Sequence, residues 1–322
     1  MSHFSVLVIG EDVEEQLAPY SETDEEYMDF VDNTDEYKEE YETETTKRMK
    51  SPEGKIVDRD AEMFKTKDEK GLTKYVFPDG YVEADVPFKE VYATFEDYCK
   101  EYHGATEQEG RFGYMSNDNA KWDWYSVGGR WAGFFKLKQG ATGELGEKSW
   151  GMEGVKLDEK KQADVLHKGD VDFAAMVKEA SDAAGAAWDA VHEATKDTPP
   201  ARSWKEVLEA SEKVGEPIEK TREIYHEQER VKAFGTTEQG KGWAPDLESF
   251  MCSREEYVNR HGKAAIAPWA IVYDGEWTEK GEMGWWGMSS NEMTQDDWNA
   301  KVIELLMGLP DDTLLTLVDC HI

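Results

Sequence analysis

Apolar residues at the two ends of the chain fall in short unbroken runs. Phe4 to Ile9 is β-branched and apolar and closes at Gly10, which suits a strand buried on both faces and is too short for a helix. Thr313 to Val318 is a second such run, followed by Asp319, Cys320, His321 and Ile322. A terminal apolar strand needs a partner inside a sheet, so the two runs are expected to be neighbours, paired antiparallel. Between them the apolar spacing changes to three and four. Phe173, Val177, Ala180, Ala184, Trp188 and Val191 predict an amphipathic helix over Asp170 to Ala194. Ser203 with Glu206 caps a second helix from Trp204, which Pro217 should break or kink before it resumes toward Lys232.

Weaker signals fill in the rest. Thr94 with Asp97 starts a short helix that shows Phe95, Tyr98 and Tyr102 on one face and ends at Gly104. Tyr75 to Phe77 predicts a short strand before the turn Pro78-Asp79-Gly80, and Pro268 to Tyr273 a strand returning through Asp274-Gly275. Thr294 caps a helix with the stripe Trp298, Val302, Leu305 and Leu306. Trp122 to Val127 and Trp131 to Leu137 suit two strands joined in a tight hairpin by Gly128-Gly129. The expected fold is α+β on a mostly antiparallel sheet, with the N- and C-terminal strands paired, helices on one face and a helical insertion. Residues 1–154 would supply the N-terminal part of the core, 155–235 the insertion and 236–322 the C-terminal part of the same core.

With 322 residues, 39% hydrophobic and 12% aromatic, the chain can build a sizeable core. Charge adds a constraint on partners. The 70 acidic against 37 basic residues give a formal charge of −33, which repels nucleic acid and anionic membrane surfaces. Glu11 to Glu44 holds 16 acidic residues and one basic residue, Lys38. As a continuous helix it would run about 51 Å with a net charge about every 3.4 Å, the spacing on one DNA strand. Pro19 and the many Asp, Asn and Thr residues oppose such a helix. The stretch reads as a solvated acidic surface or as a partner-binding face. In the second case Glu25, Glu26, Asp29, Asp35, Glu36, Glu39 and Glu40 would meet a basic host or defence protein, in the sharpest version by imitating nucleic acid.

Candidate chemistry gathers at two places. Arg130, set beside the flexible pair Gly128-Gly129 and among Trp122, Trp124 and Trp131, would give a pocket with stacking walls and one anion anchor. Trp285 and Trp286 could supply the other wall, and a nucleotide would fit; packing tryptophans with Arg130 spent on a carboxylate is the structural alternative. Neither standard phosphate loop is present. The second place is the paired ends, where His3 would approach His321 with Asp319 and Cys320 close by, a set able to bind a metal or run acid–base chemistry. Cys99, Cys252 and Cys320 lack zinc or redox spacing, pointing to a reducing cytosol and no cofactor. The N-terminus lacks the features of a secretion signal, and no run approaches the roughly 18 apolar residues of a membrane span.

The opening SHFSVLVIG, EQLAPY at Glu15 to Tyr20, NAKWDWYSVGGRWAGFF at Asn119 to Phe135, GEMGWWG at Gly281 to Gly287 and the closing LPDDTLLTLVDCHI resemble a family of uncharacterised proteins encoded by tailed bacteriophages and prophages. The resemblance implies a protein made in the cytoplasm of an infected bacterium, in a setting of host takeover or counter-defence. It carries over no settled activity.

Overall fold

Residues 2–242, 245–284 and 288–322 are described by a computed structural model. The fold is α+β, and the chain divides into two units: Met1–Ser21 with Lys121–Ile322, and Glu22–Ala120.

In the first unit the sheet strands are β1 (His3–Ile9), β2 (Trp124–Gly129), β3 (Glu147–Lys148), β4 (Val165–His167), β5 (Ala270–Tyr273), β6 (Glu276–Glu279) and β7 (Leu314–His321). They lie in the order β3-β2-β7-β1-β5-β6, with β4 also on β7. Pairs β1/β7, β2/β7, β4/β7 and β5/β6 are antiparallel, whereas β1/β5 and β2/β3 are parallel. The expected pairing of the ends is found, running from His3↔His321 to Ile9↔Leu315.

Because side chains alternate across a strand, this register assigns every residue of β1 and β7 to a face. Leu7, Ile9, Leu315 and Leu317 pack with Trp298, Val302 and Leu306 of helix α6 (Gln295–Gly308) and with Met176 of α1 (Phe173–Thr195). Phe4, Val6, Val8, Val318 and Cys320 line the opposite face with Leu17, Trp122 and Trp277. The predicted helices are present. α1 begins at the Asp172 cap, and α2 (Trp204–Val214) has its Ser203/Glu206 capping box and ends on Gly215 with φ +70°. Pro217 then starts α3 (Ile218–His226), and α4 (Glu229–Phe234) follows. α1, α3 and α4 share a core with α5 (Arg254–Ala264) through Val191, Tyr225, Phe234 and Tyr257.

The second unit is a set of small antiparallel sheets with the short α-helices Thr34–Thr43, Phe88–Val91 and Phe95–Tyr102, around Tyr37, Phe88, Tyr98, Cys99 and Phe112. The acidic stretch 11–44 is broken into pieces, and its longest helix has 10 residues, about 15 Å. A DNA-length acidic rod is therefore not built.

The hairpin expected at Gly128-Gly129 is corrected. β2 pairs with β7 and β3, while the chain after the glycines turns away and Phe135–Lys136 pairs with Gln162–Ala163. The cause is the buried carboxylate of Asp164, which accepts the N–H groups of Gly133, Phe134 and Gly146 at 2.7–3.0 Å. Three backbone donors on one carboxylate outweigh a two-stranded ladder at this point. No helix of the described residues is long and apolar enough to cross a membrane.

The paired ends should dominate stability. Leu317→Ala is expected to cost about 2–5 kcal/mol in urea unfolding of the whole chain, while the double change Glu25→Gln, Glu26→Gln should stay within about 0.5 kcal/mol. Equal losses from the two would refute this view of the core.

Candidate functional site

The face of β1 and β7 that is apolar at Leu7 and Leu317 turns polar two residues further toward the strand ends. Ser5 lies opposite Asp319 and His3 opposite His321. β2 adds Trp124 opposite His321, so three aromatic rings stand in a row across neighbouring strands. The imidazoles of His3 and His321 are 4.9 Å apart, centre to centre, at 74°. Trp124, 44% exposed, stacks on His321 at 5.0 Å, and its ring centre is 5.3 Å from that of His3, the two planes crossing at 81°.

Each imidazole is oriented by its own carboxylate. His3 Nδ1 lies 2.8 Å from Asp319 Oδ1, and His321 Nδ1 lies 2.6 Å from Asp123 Oδ1. An ionised carboxylate only accepts, so both rings carry a proton on Nδ1 and direct Nε2 away from their partners. Among the described residues neither Nε2 has a hydrogen-bond partner. Asp319 is wholly buried, and its second oxygen accepts the backbone N–H of Arg130 at 2.8 Å.

That bond explains the glycine pair. Gly129 has φ +56°, and a Cβ there would stand 2.2 Å from the Cβ of Asp319; one on Gly128, φ +76°, would stand 2.9 Å from Asp164 Oδ2. The glycines admit two carboxylates of the protein itself, not a ligand phosphate. Trp122 is also reassigned. It lies on the opposite face, where its Nε1 donates to the Leu17 carbonyl at 3.1 Å. Arg130 has an exposed side chain with no ion-pair or hydrogen-bond partner among the described residues, so the alternative of a spent arginine does not hold. Trp285 and Trp286 lie outside the described residues.

His3 also lines a cleft of about 250 Å³ with Ser5, Trp131, Trp269, Lys280 and Gln295. Ser5 Oγ accepts the Trp269 N–H at 3.1 Å. The Lys280 ammonium pairs with Glu292 at 2.8 Å and sits 5.2 Å over the Trp269 ring. Hydrogen bonds from Lys280, and then from Ser289, hold the Glu292 carboxyl below its usual range.

The metal reading of His3, His321 and Asp319 is corrected: among the described residues no group of three or more His, Cys, Asp or Glu side chains can hold an ion. The two rings spend Nδ1 on separate carboxylates instead of converging. Cys320, expected close by, points to the other face, where burial, with the Asp319 charge second, pushes its thiol well above the ordinary value. Sequence reasoning missed Asp123, Asp164, Trp269 and Lys280. Only the position of Asp123 between Trp122 and Trp124 could have marked one of them among 70 acidic residues.

The chain matches no family model, no curated protein and no solved structure.

The fit of Asp319 under the glycine gives a direct check. Gly129→Ala should lose about 2 kcal/mol or more in urea unfolding, from the clash and the positive φ together. Gly154→Ala, where an added Cβ meets nothing within 4 Å, is the control and should be near neutral. A neutral Gly129→Ala would mean that Asp319 is not held as described.

Proposed function

We propose that the chain binds and processes a small nucleotide-type ligand at the ends of β1 and β7. The observation that carries this reading is the pair of carboxylate-oriented imidazoles, one of them opening on a cleft walled by tryptophans. An imidazole whose Nδ1–H is fixed by a carboxylate presents Nε2 as a proton acceptor, and the carboxylate stabilises the imidazolium that forms. The indole faces of Trp131 and Trp269 suit a planar base. Arg130, exposed and without an ion-pair partner among the described residues, supplies an unpaired positive charge beside Asp319, whereas the Lys280 charge is already matched by Glu292.

Mononucleotides at about 100 times Kd should stabilise the chain by about 2.7 kcal/mol, a rise of several degrees in Tm. Trp131→Ala should abolish that rise. If no nucleotide moves Tm, or Trp131→Ala leaves the shift intact, the reading fails.

A second reading rests on the helix Thr34–Thr43 and the residues before it. Glu25, Glu26, Asp29, Asp35 and Glu39 are exposed and have no basic partner among the described residues. Glu36 is exposed as well and accepts from Asn33, whereas Glu40 is half-buried and tied to Tyr98 and His103. In this reading the chain is an acidic phage factor that docks through this patch on a basic host or defence protein. The patch is short, so it acts as a docking point and not as a length of DNA. A partner captured from host lysate should be released as salt rises, because the Debye length falls from about 10 Å at 0.1 M to about 3 Å at 1 M. Retention that ignores salt, or survives the change of those five exposed acids to Gln and Asn, removes the electrostatic docking reading.

A further inference from the structure

Resting on the ligand-processing reading, we infer that the substrate is a phosphodiester of single-nucleotide size, opened by in-line transfer with His3 and His321 as the acid–base pair. Several observations converge on this class.

The first is the duplication. One oriented imidazole suffices when a protein nucleophile does the attack, but among the described residues neither imidazole is hydrogen-bonded to a hydroxyl or a thiol. Ser5 Oγ accepts the backbone N–H of Trp269 and has no bond to a base, and Cys320 faces the other side of the sheet. The attacking oxygen must then come from the substrate or from water. Two neighbouring imidazoles with both Nε2 atoms unpartnered among the described residues suit a reaction that takes a proton at one oxygen and returns one at another. Displacement at phosphorus has that requirement, because the entering and leaving oxygens lie on opposite sides of the phosphorus.

The second is charge. A phosphodiester carries one negative charge, whereas a terminal monoester approaches two and would stand near Asp319 and Asp123. Arg130 provides an uncommitted guanidinium, rooted one hydrogen bond from Asp319. The rest of the acidic surface is screened beyond about 8 Å at physiological ionic strength. The third is size. A cleft of about 250 Å³ falls below the common range for drug-sized ligands, about 300–1,000 Å³, and admits one nucleoside unit.

For a 2′,3′-cyclic nucleotide the step balances as follows. The oxygen of water forms a new P–O bond and gives its proton to Nε2 of one imidazole. The P–O bond to one ribose oxygen breaks with its electron pair on that oxygen. That oxygen takes the proton from Nε2–H of the other imidazole, leaving a monophosphate and no co-reactant.

The test uses the full chain with uridine, cytidine, adenosine and guanosine 2′,3′-cyclic monophosphates in the presence of a chelator, with products followed by chromatography. Ring opening to a 2′- or 3′-monophosphate is expected, with a bell-shaped pH profile. His3→Gln and His321→Gln should each lower kcat/KM by about 100-fold or more. Should either variant lose its native Tm, Asp123→Asn carries the test. The Asp123 carboxylate is itself about one-third exposed, and the change reverses the tautomer of its partner His321, so kcat should fall with little change in KM. No ring opening of any of the four, loss of activity to the chelator, or an Asp123→Asn variant with unchanged kcat overturns the inference. Nucleotide binding without ring opening overturns the substrate class alone and leaves the ligand reading standing, whereas absence of both removes the two together.

Discussion

The antiparallel pairing of β1 with β7 joins residues 316 apart in sequence, such as His3 and Asp319, and the rest of the first unit depends on it. Closing so long a loop costs about 5 kcal/mol in its length-dependent part. The pairing offsets that cost through burial: Phe4, Val6, Leu7, Val8, Ile9, Leu315, Leu317 and Val318 are each no more than 2% exposed. With the apolar positions of both strands buried in this way, the positions nearest the two chain ends are left polar, and histidines and a carboxylate occupy a face that is otherwise core.

Two buried carboxylates then shape the neighbouring segment. Asp319 and Asp164 are both wholly buried, a costly state for a charge without partners. Each is met by backbone N–H groups, Arg130 for Asp319 and Gly133, Phe134 and Gly146 for Asp164. The chain from Gly128 to Gly146 is therefore wrapped around acid groups. Gly128 and Gly129 are there because the carboxylates come too close for a Cβ. The same arrangement fixes His3, since the oxygen of Asp319 not used by Arg130 holds its Nδ1. The packing of this segment and the orientation of His3 thus meet in one side chain, Asp319.

Period and capping made much of the fold legible. Short apolar runs marked both terminal strands, the first closed by Gly10, and the Ser203/Glu206 and Thr94/Asp97 boxes marked helix starts that the structure retains. The pairing of the ends, and with it the approach of His3 to His321, followed from two runs that each needed a partner. The Gly128-Gly129 segment was misread because a glycine pair is equally good for a tight hairpin and for a close approach by another side chain. The side chains that approach, Asp164 and Asp319, are distant in sequence. Trp122 and Trp124 were grouped as one wall because residues two apart in a strand share a face; the strand begins only at Trp124, so the alternation does not extend back to Trp122. Asp123 was hidden by abundance, since nothing local separates one carboxylate from many others.

The second unit offers an internal comparison for reading a histidine beside a carboxylate. His103 Nε2 lies 2.8 Å from both Glu40 and the Tyr98 hydroxyl, and its ring stacks on Tyr37 at 4.0 Å. Tyr98 in turn donates to Glu40 at 2.6 Å, and burial, then that bond, raises its hydroxyl far above the usual range. The cluster fastens helix Thr34–Thr43 to helix Phe95–Tyr102. A histidine–carboxylate pair is therefore no mark of chemistry by itself. What sets His3 and His321 apart is their setting: two imidazoles side by side, each held through Nδ1 by its own carboxylate, with His3 at the edge of a cleft. Two oriented rings, each with a nitrogen left over, can take one proton and give another, which a single latched ring cannot.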